Sequence, residues 1–180
     1  MPTQLAATVW EAPHNGITPA ERHDRLAKLG DLIETIPICM VTTTGPDGSI
    51  HSRPMAYLHM EPDGELVFFT RAASTKVNEI RRNNYVNVSF SDFGRNCYIS
   101  VSGLARISND RNKMVELFTA IMKTWFPGGV EDPTLRLFIV QPYAAEYWDG
   151  PSGLKFVYTL AKSLLTGAPL DPGQHEFLEL

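Results

Sequence analysis

Cysteine and histidine are both scarce in this sequence. Cys39 and Cys97 are the only cysteines among 180 residues, and they form no CxxC motif. Both lie in apolar runs, so we interpret them as reduced core thiols, which excludes a disulfide framework. The five histidines show no HxH or HExxH spacing, and we predict no metal site. A reducing, cytoplasmic compartment is the expectation that follows.

Long apolar runs and a surplus of positive charge are also missing. The apolar runs are strand-sized, well short of the roughly twenty residues of a spanning helix, and the N-terminus does not resemble a secretory signal. The formal net charge is −4, which disfavours a nucleic-acid partner. No GxSxG, Walker A or GxGxxG motif is present, so a hydrolase triad and those nucleotide loops are not indicated. We therefore expect neither membrane nor nucleic-acid binding.

What the sequence does contain is enough apolar material for one domain, with 43% hydrophobic residues. We predict an N-terminal arm over residues 1–17, a single domain over 18–167 and a loose C-terminal tail over 168–180. The domain begins with a capping box, Thr18 to Glu21, that predicts a helix with proline at its first position. Pro37 ends this helix.

Turn motifs divide the next segment into strands. Gly45–Gly48 and Glu61–Gly64 separate apolar runs over 38–44, 50–59 and 66–70, which predicts an antiparallel meander. Further strands are predicted over 86–90, 97–101, 135–140 and 144–148. Gly103 marks a bulge or a close approach of two backbones.

Three more helices complete the prediction. Ser74 caps a short one, residues 109–125 form the most regular one, and residues about 154–165 form the last, closed by Gly167. With six or seven strands and three or four helices in no regular alternation, the class is mainly β or α+β. A Greek-key barrel with helices packed outside fits this pattern.

Two segments could hold a phosphate and one could contact a planar ring. Arg53, in His51–Met55, offers a rigid fork of donors, although an edge-strand arginine would look the same. A strand ending at Thr70 leads into a helix beginning near Ser74, where N–H groups, hydroxyls and Lys76 could form an anion cradle. The alternative there is an ordinary N-cap with a solvated lysine. Aromatic residues in 147–150 could pack against a cofactor or form core or interface contacts.

The order of these segments carries a family resemblance. HSRPM, LVFFT followed by STKVNEI, NxxVNVSFS, YISVSG and AAEYWDG occur in sequence between about residues 26 and 167. This resembles the general stress protein family within the pyridoxamine 5′-phosphate oxidase-like, FMN-binding split barrels. The resemblance implies a six- to seven-stranded antiparallel Greek-key split β-barrel with flanking helices. It also implies bound FMN, with FAD as the alternative, and a homodimer with the flavin at the subunit interface.

The resemblance also assigns cofactor-binding positions. It implies that Arg53 and Lys76 bind the FMN phosphate, and that Trp148 reaches the flavin from the partner subunit. The other implied cofactor contacts are His51, Ser52, Pro54 and Met55 along the isoalloxazine ring, Phe69 with Thr70 near the ribityl chain or phosphate, Ser74 and Thr75 on the phosphate side, and Tyr98 facing the flavin.

The sequence departs from the vitamin B6 oxidase pattern at three places. Leu58 stands where that pattern has a lysine, Thr75 stands where it has a second basic residue, and no Arg-x-His element follows Trp148. We therefore predict an FMN-dependent, stress-related oxidoreductase that does not oxidise pyridoxamine phosphate. The alternatives are a flavin carrier or sensor without turnover, or a split barrel for haem or a deazaflavin. Arg53 and Lys76 favour a phosphorylated ligand over haem. The substrate and any catalytic side chain are not identified.

Overall fold

The computed structural model describes residues 17–167, 169 and 173–180, so the predicted arm lies outside the described residues except for residue 17. In chain order the strands are β1 (Ile38–Thr44), β2 (Ile50–Ala56), β3 (His59–Met60), β4 (Leu66–Arg71), β5 (Tyr85–Asp92), β6 (Cys97–Ser108), β7 (Leu135–Asp149) and β8 (Gln174–Glu179). The α-helices are α1 (Pro19–Ile33), α2 (Thr75–Arg82), α3 (Arg111–Leu117) and α4 (Gly153–Thr166), with 3-10 turns at Ala120–Thr124 and Gly129–Glu131.

All eight strands form one antiparallel sheet. Its order is β2-β1-β5-β6-β7-β4-β3, and β8 pairs with β7. The sheet curls into a half-barrel with flanking helices, which confirms the predicted fold class. The pairing of β1 with β5 joins strands that are distant in the chain, as Greek-key connections do.

Hydrophobic residues fill both faces of the sheet around β4. Leu66 and Phe68 belong to the main core inside the barrel, whereas Val67 and Phe69 belong to a second core under α3 and the first 3-10 turn. A strand that is buried on both faces has a continuous apolar sequence, and β4 has such a sequence, LVFFT. None of the helices in the described part of the chain has both the length and the apolar character that crossing a bilayer requires.

Two helix ends match their sequence signals. Thr18 and Glu21 form the predicted capping box at the start of α1, with both reciprocal hydrogen bonds present. Gly167 closes α4 in the left-handed conformation, at φ 67°. Both ends depend only on residues that are neighbours in the chain.

Two of the strand predictions are wrong. Residues 50–59 split into β2 and β3, because β2 pairs with β1 whereas β3 crosses to pair with β4. Residues 135–140 and 144–148 belong to one strand, β7, whose partner β6 shifts register between Ser102 and Gly103. A Cβ on Gly103 would lie 2.5 Å from Val140 Cγ1 and 2.7 Å from the Gln141 carbonyl oxygen. The predicted bulge and close approach at Gly103 are therefore both confirmed.

The helix predicted over residues 109–125 is broken. It ends at Leu117, Phe118 is extended, and a 3-10 turn follows from Ala120. The rings of Phe118 and Phe126 both pack on Phe69, at centroid distances of 5.5 Å and 5.8 Å. Two residues eight apart on a straight helix are separated by about 12 Å along its axis and could not both contact one ring.

The predicted loose tail is also wrong at its end. Residues 174–179 form β8 along the second half of β7, from Ala144 to Asp149. Leu178 and Leu180 are buried in the main core. The segment QHEFLE is mostly polar and exposed, so its strand character depends on the edge that β7 presents.

Candidate functional site

A cavity of about 530 Å³ opens where the end of β2, the end of β4 and the start of α2 meet the first 3-10 turn. This volume lies in the range typical of small-molecule sites. Six of the twelve residues predicted to contact a cofactor line it: Pro54, Met55, Phe69, Thr70, Ser74 and Lys76. The other lining residues are Ile38, Ala56, Leu58, Arg71, Ala73, Met122, Trp125 and Phe126.

One of the residues that line this cavity, Thr70, has an unsatisfied hydroxyl. The Oγ1 atom of Thr70 is buried and forms no hydrogen bond with any described residue. Leaving a buried polar group without a partner costs about 1–3 kcal/mol. A polar ligand atom that reached the Thr70 hydroxyl would supply that partner.

Ser74 and Lys76 stand at the start of α2, on the same side of the cavity. Ser74 is the N-cap residue, as predicted, but its side chain makes no capping bond. Its hydroxyl instead accepts a hydrogen bond from Lys76 Nζ at 2.9 Å. The ammonium group is thereby held beside the free N–H groups of the first helical turn, where an anion is favoured.

The charge of Lys76 is poorly stabilised by the protein alone. Burial lowers the pKa of Lys76, the nearby positive charge of Arg53 lowers it further, and Glu79 only partly opposes both effects. An anionic ligand bound beside Lys76 would stabilise its charged form, because an opposite charge offsets burial and the repulsion from Arg53.

The buried carboxylate of Glu79 bonds three side chains, those of Thr43, His51 and Arg53. Its side chain accepts hydrogen bonds from Thr43 Oγ1 at 2.5 Å and Arg53 Nη2 at 3.0 Å, and it bonds His51 Nδ1 at 2.7 Å. Burial raises the pKa of Glu79, but the three hydrogen bonds outweigh burial and hold it below its usual value. Glu79 is therefore ionised, with three hydrogen-bond partners from the protein.

Arg53 and His51 are not among the residues that line the cavity, and both bond the Glu79 carboxylate. Arg53 donates to Thr43 Oγ1 at 2.8 Å as well as to Glu79. His51 continues the network outward, since its Nε2 lies 3.1 Å from Ser49 Oγ. The Ser49 hydroxyl also donates to the Asp47 carboxylate at 2.5 Å.

The remaining four predicted residues lie elsewhere in this chain. The hydroxyl of Ser52 accepts a hydrogen bond from Thr42 at 3.1 Å, and Thr75 is exposed on α2. Tyr98 and Trp148 face each other across β6 and β7. The indole of Trp148 is stacked on His175, with centroids 5.0 Å apart and planes 8° apart. Their predicted contact with a flavin held by a partner subunit stays a prediction.

Sequence reasoning missed several residues of the site. Glu79 could have been suspected, because a charge stands between the inward-facing Val77 and Ile80 of α2. The helix predicted over residues 109–125 includes Trp125 and stops before Phe126, so the sequence does not predict that either residue lines a cavity. Arg71 carries no sequence signal; it donates to the Trp125 carbonyl at 2.8 Å, with its guanidinium carbon 5.6 Å from the centre of the Phe126 ring.

Comparisons with known proteins agree on one family. A family model described as pyridoxamine 5′-phosphate oxidase like matches residues 24–171. Protein bli-3 of Neurospora crassa is 29% identical over 140 residues, covering 72% of this chain and 67% of that protein. General stress protein 26 of Bacillus subtilis is 29% identical over 100 residues, covering 53% and 68%. A crystal structure named as the general stress FMN/FAD binding protein of Xanthomonas citri is 27% identical, with a TM-score of 0.62 and coverage of 75% and 93%.

Proposed function

The chain belongs to the pyridoxamine 5′-phosphate oxidase-like family, and on that premise we propose that its cavity binds FMN for a flavin-dependent oxidoreductase reaction. The observation that carries the proposal is the buried, unpartnered hydroxyl of Thr70, a residue that lines the same cavity as Lys76. The related Xanthomonas citri protein is named for FMN and FAD binding, which supports a flavin as the ligand.

The polar residues of the cavity fit a phosphate. Lys76 would pair with one phosphate oxygen, and the hydroxyls of Thr70 and Ser74 would bond the others. The N–H groups at the start of α2 add partial positive charge. Arg53 would act on the phosphate only through its positive charge, because hydrogen bonds to Glu79 and Thr43 hold its guanidinium outside the cavity lining. This division of roles makes Lys76 the main phosphate ligand.

The apolar residues of the cavity fit a planar ring system. Pro54 and Met55 from β2 and Leu58 after it form a wall without charge, which would orient the ring and exclude water from it. A bound flavin supplies the hydride or electron transfer itself. The cations that hold the phosphate of pyridoxamine phosphate in the vitamin B6 oxidase pattern are missing here, because Leu58 replaces a lysine and no Arg-x-His element follows Trp148. The proposed substrate is therefore a different molecule.

Comparing the binding of FMN with that of riboflavin, which lacks the phosphate, would test the phosphate site. Lys76→Ala should weaken FMN binding roughly 10- to 150-fold, as expected for one charge-assisted hydrogen bond, and leave riboflavin binding unchanged. Lys123→Ala is the matched control, since Lys123 is exposed and does not line the cavity. Fluorescence titration of both ligands measures the constants. Equal loss for both ligands, or no FMN binding by the unmodified protein, would refute the site.

The proposed oxidoreductase reaction is tested separately, by reduction of the bound flavin. Protein loaded with FMN is mixed anaerobically with NADH or NADPH, and the flavin absorbance near its visible maximum is followed. Loss of that absorbance supports a reductase. A flavin that stays oxidised with both donors while binding tightly would support the carrier or sensor function instead.

A homodimer is part of the proposal. Trp148 is 39% exposed, and the exposed ring of Phe93 lies 6.1 Å from Tyr98, so aromatic surface gathers at one end of β6 and β7. An exposed apolar patch of this kind is typical of interfaces. We expect sedimentation equilibrium to give twice the mass of one chain.

We also expect Trp148→Ala to weaken FMN binding in the dimer. A monomer at micromolar concentration would contradict both the dimer and this role of Trp148.

A further inference from the structure

We propose that a second cavity, separate from the flavin cavity, binds a small phosphomonoester, meaning an organic body with a terminal phosphate group. This second cavity has a volume of about 380 Å³ and lies where the end of α2 and the end of β6 meet the start of β7. Three of its lining residues are arginines: Arg81, Arg106 and Arg136. The proposal does not rest on the flavin site, because the two cavities share no lining residue.

The guanidinium of Arg136 is held in a fixed position at the start of β7. Its Nη1 atom donates hydrogen bonds to the carbonyl oxygens of Pro133 at 2.8 Å and Leu135 at 2.6 Å. Its Nε and Nη2 atoms form no hydrogen bond with any residue that the structure describes. Two adjacent N–H donors of one guanidinium match two oxygens of a phosphate group. Arg136 is therefore already arranged to bind such a group.

The charges of the three arginines are only partly balanced by the protein. Arg106 forms a bidentate pair with the Glu65 carboxylate, at 2.6 Å and 2.8 Å. Over the described ranges of the chain, no carboxylate forms an ion pair with Arg81 or Arg136. A phosphomonoester carries a charge between about −1.5 and −2 at neutral pH. One such group would balance both unpaired arginines, whereas a single carboxylate would balance one.

The remaining wall of the second cavity is partly apolar. Ile80 and Ala105 are buried, and the half-buried Ile107 packs against the main core. The volume lies within the range typical of cavities that hold whole small molecules, and a phosphate group alone would leave much of it unfilled. An organic body attached to the phosphate would cover this apolar wall and remove it from water. The lining therefore favours a phosphomonoester over inorganic phosphate.

The second cavity is remote from the aromatic patch assigned to the dimer interface. That patch includes Tyr98 at the start of β6, whereas Ile107 is near the end of the same strand. Nine residues of a β-strand span about 30 Å. A dimer contact at the patch would therefore leave the second cavity open to a ligand.

Calorimetric titration with phenyl phosphate, inorganic phosphate and benzoate would test the second cavity. We expect phenyl phosphate to bind most tightly of the three. Arg136→Ala should weaken its binding roughly 10- to 150-fold, as for a charge-assisted hydrogen bond. Arg81→Ala should weaken it roughly 2- to 5-fold, because an exposed ion pair adds less. Arg82→Ala is the matched control and should change nothing, since Arg82 is exposed in the same helical turn and does not line the cavity.

A further variant, Lys76→Ala, distinguishes the second cavity from the flavin cavity. Arg136 stands opposite Thr70 in the pairing of β4 with β7, so the two cavities are neighbours and a phosphate probe has two places to enter. Phenyl phosphate binding that survives Lys76→Ala and is lost in Arg136→Ala would support the second cavity, even in a protein that binds no FMN. Binding lost in Lys76→Ala would place the probe in the flavin cavity and overturn the proposal.

The other outcomes also decide the proposal. Inorganic phosphate that binds as tightly as phenyl phosphate would overturn the organic ligand, and benzoate that binds more tightly would overturn the phosphate. The site is refuted if the unmodified protein binds none of the probes, or if Arg136→Ala has no more effect than Arg82→Ala. A thermal melt shows whether Arg136→Ala is folded. If it is not, Arg136→Lys keeps the charge but loses the paired donors, and it should still weaken phenyl phosphate binding.

Discussion

Replacing Glu79 by alanine should lower the free energy of unfolding by about 3–5 kcal/mol, the usual effect of removing one member of a buried ion pair. Glu79 is 5% exposed and is the shared partner of Thr43, His51 and Arg53. Its loss leaves the Arg53 guanidinium, which is itself mostly buried, without a counter-charge. Urea denaturation followed by circular dichroism measures the change.

Two variants test the stated cause. Glu116→Ala, at an exposed position on α3, should change the free energy of unfolding by less than about 0.5 kcal/mol. The double variant Arg53→Met/Glu79→Leu removes both charges and should recover part of the loss, because no unpaired charge remains. A double variant as unstable as Glu79→Ala would mean that lost packing, and not the unpaired cation, causes the effect.

The stabilisation by Glu79 should also depend on pH in a definite direction. The hydrogen bonds hold the pKa of Glu79 below its ordinary value of 4.5 despite burial. The folded chain therefore releases the proton more readily than the unfolded chain does. The stabilisation is complete above the unfolded pKa and is lost as the pH falls through the folded pKa. The difference in stability between the natural protein and Glu79→Gln should narrow in acid, and a difference that widened there would contradict the assignment.

Removing the last strand should have an effect of similar size. A chain that ends at Gly173 loses β8, and with it the buried side chains of Leu178 and Leu180. At about 1.5–3 kcal/mol for each fully buried leucine, the expected loss is roughly 3–6 kcal/mol. The ion pair of Lys28 with Glu176 is also lost, but an exposed pair adds little. Such a loss is a large share of the 5–15 kcal/mol that is typical of a whole domain.

Hydrogen exchange would locate this second effect. We expect the amides of β7 from Ala144 to Asp149, which β8 covers, to lose protection in the truncated chain. Leu178→Ala should reproduce a part of the destabilisation, about 2–5 kcal/mol. Gln174→Ala, at an exposed position of the same strand, should not reproduce it. A truncated chain with an unchanged urea midpoint would show that β8 is dispensable.

The sequence by itself determined the features that depend on neighbouring residues. The capping box of α1 needs only Thr18 and Glu21, and the fully buried β4 follows from the run LVFFT. The left-handed cap at Gly167 and the close approach at Gly103 follow in the same way from one residue that lacks a side chain. The family resemblance added the half-barrel and six of the residues that line the cavity.

Only the tertiary structure decided the features that depend on distant partners. Thr43 and Glu79 are 36 residues apart, and they meet because β1 packs against α2. After the break at Leu117, Phe118 and Phe126 both pack on the Phe69 ring, and β8 pairs with the second half of β7. Hydrophobic periodicity predicts which face of a helix or strand is buried, but not which residues pack against that face. The guanidinium of Arg53 therefore bonds Glu79 and does not line the cavity, whereas Trp125 does line it, for reasons that no local pattern contains.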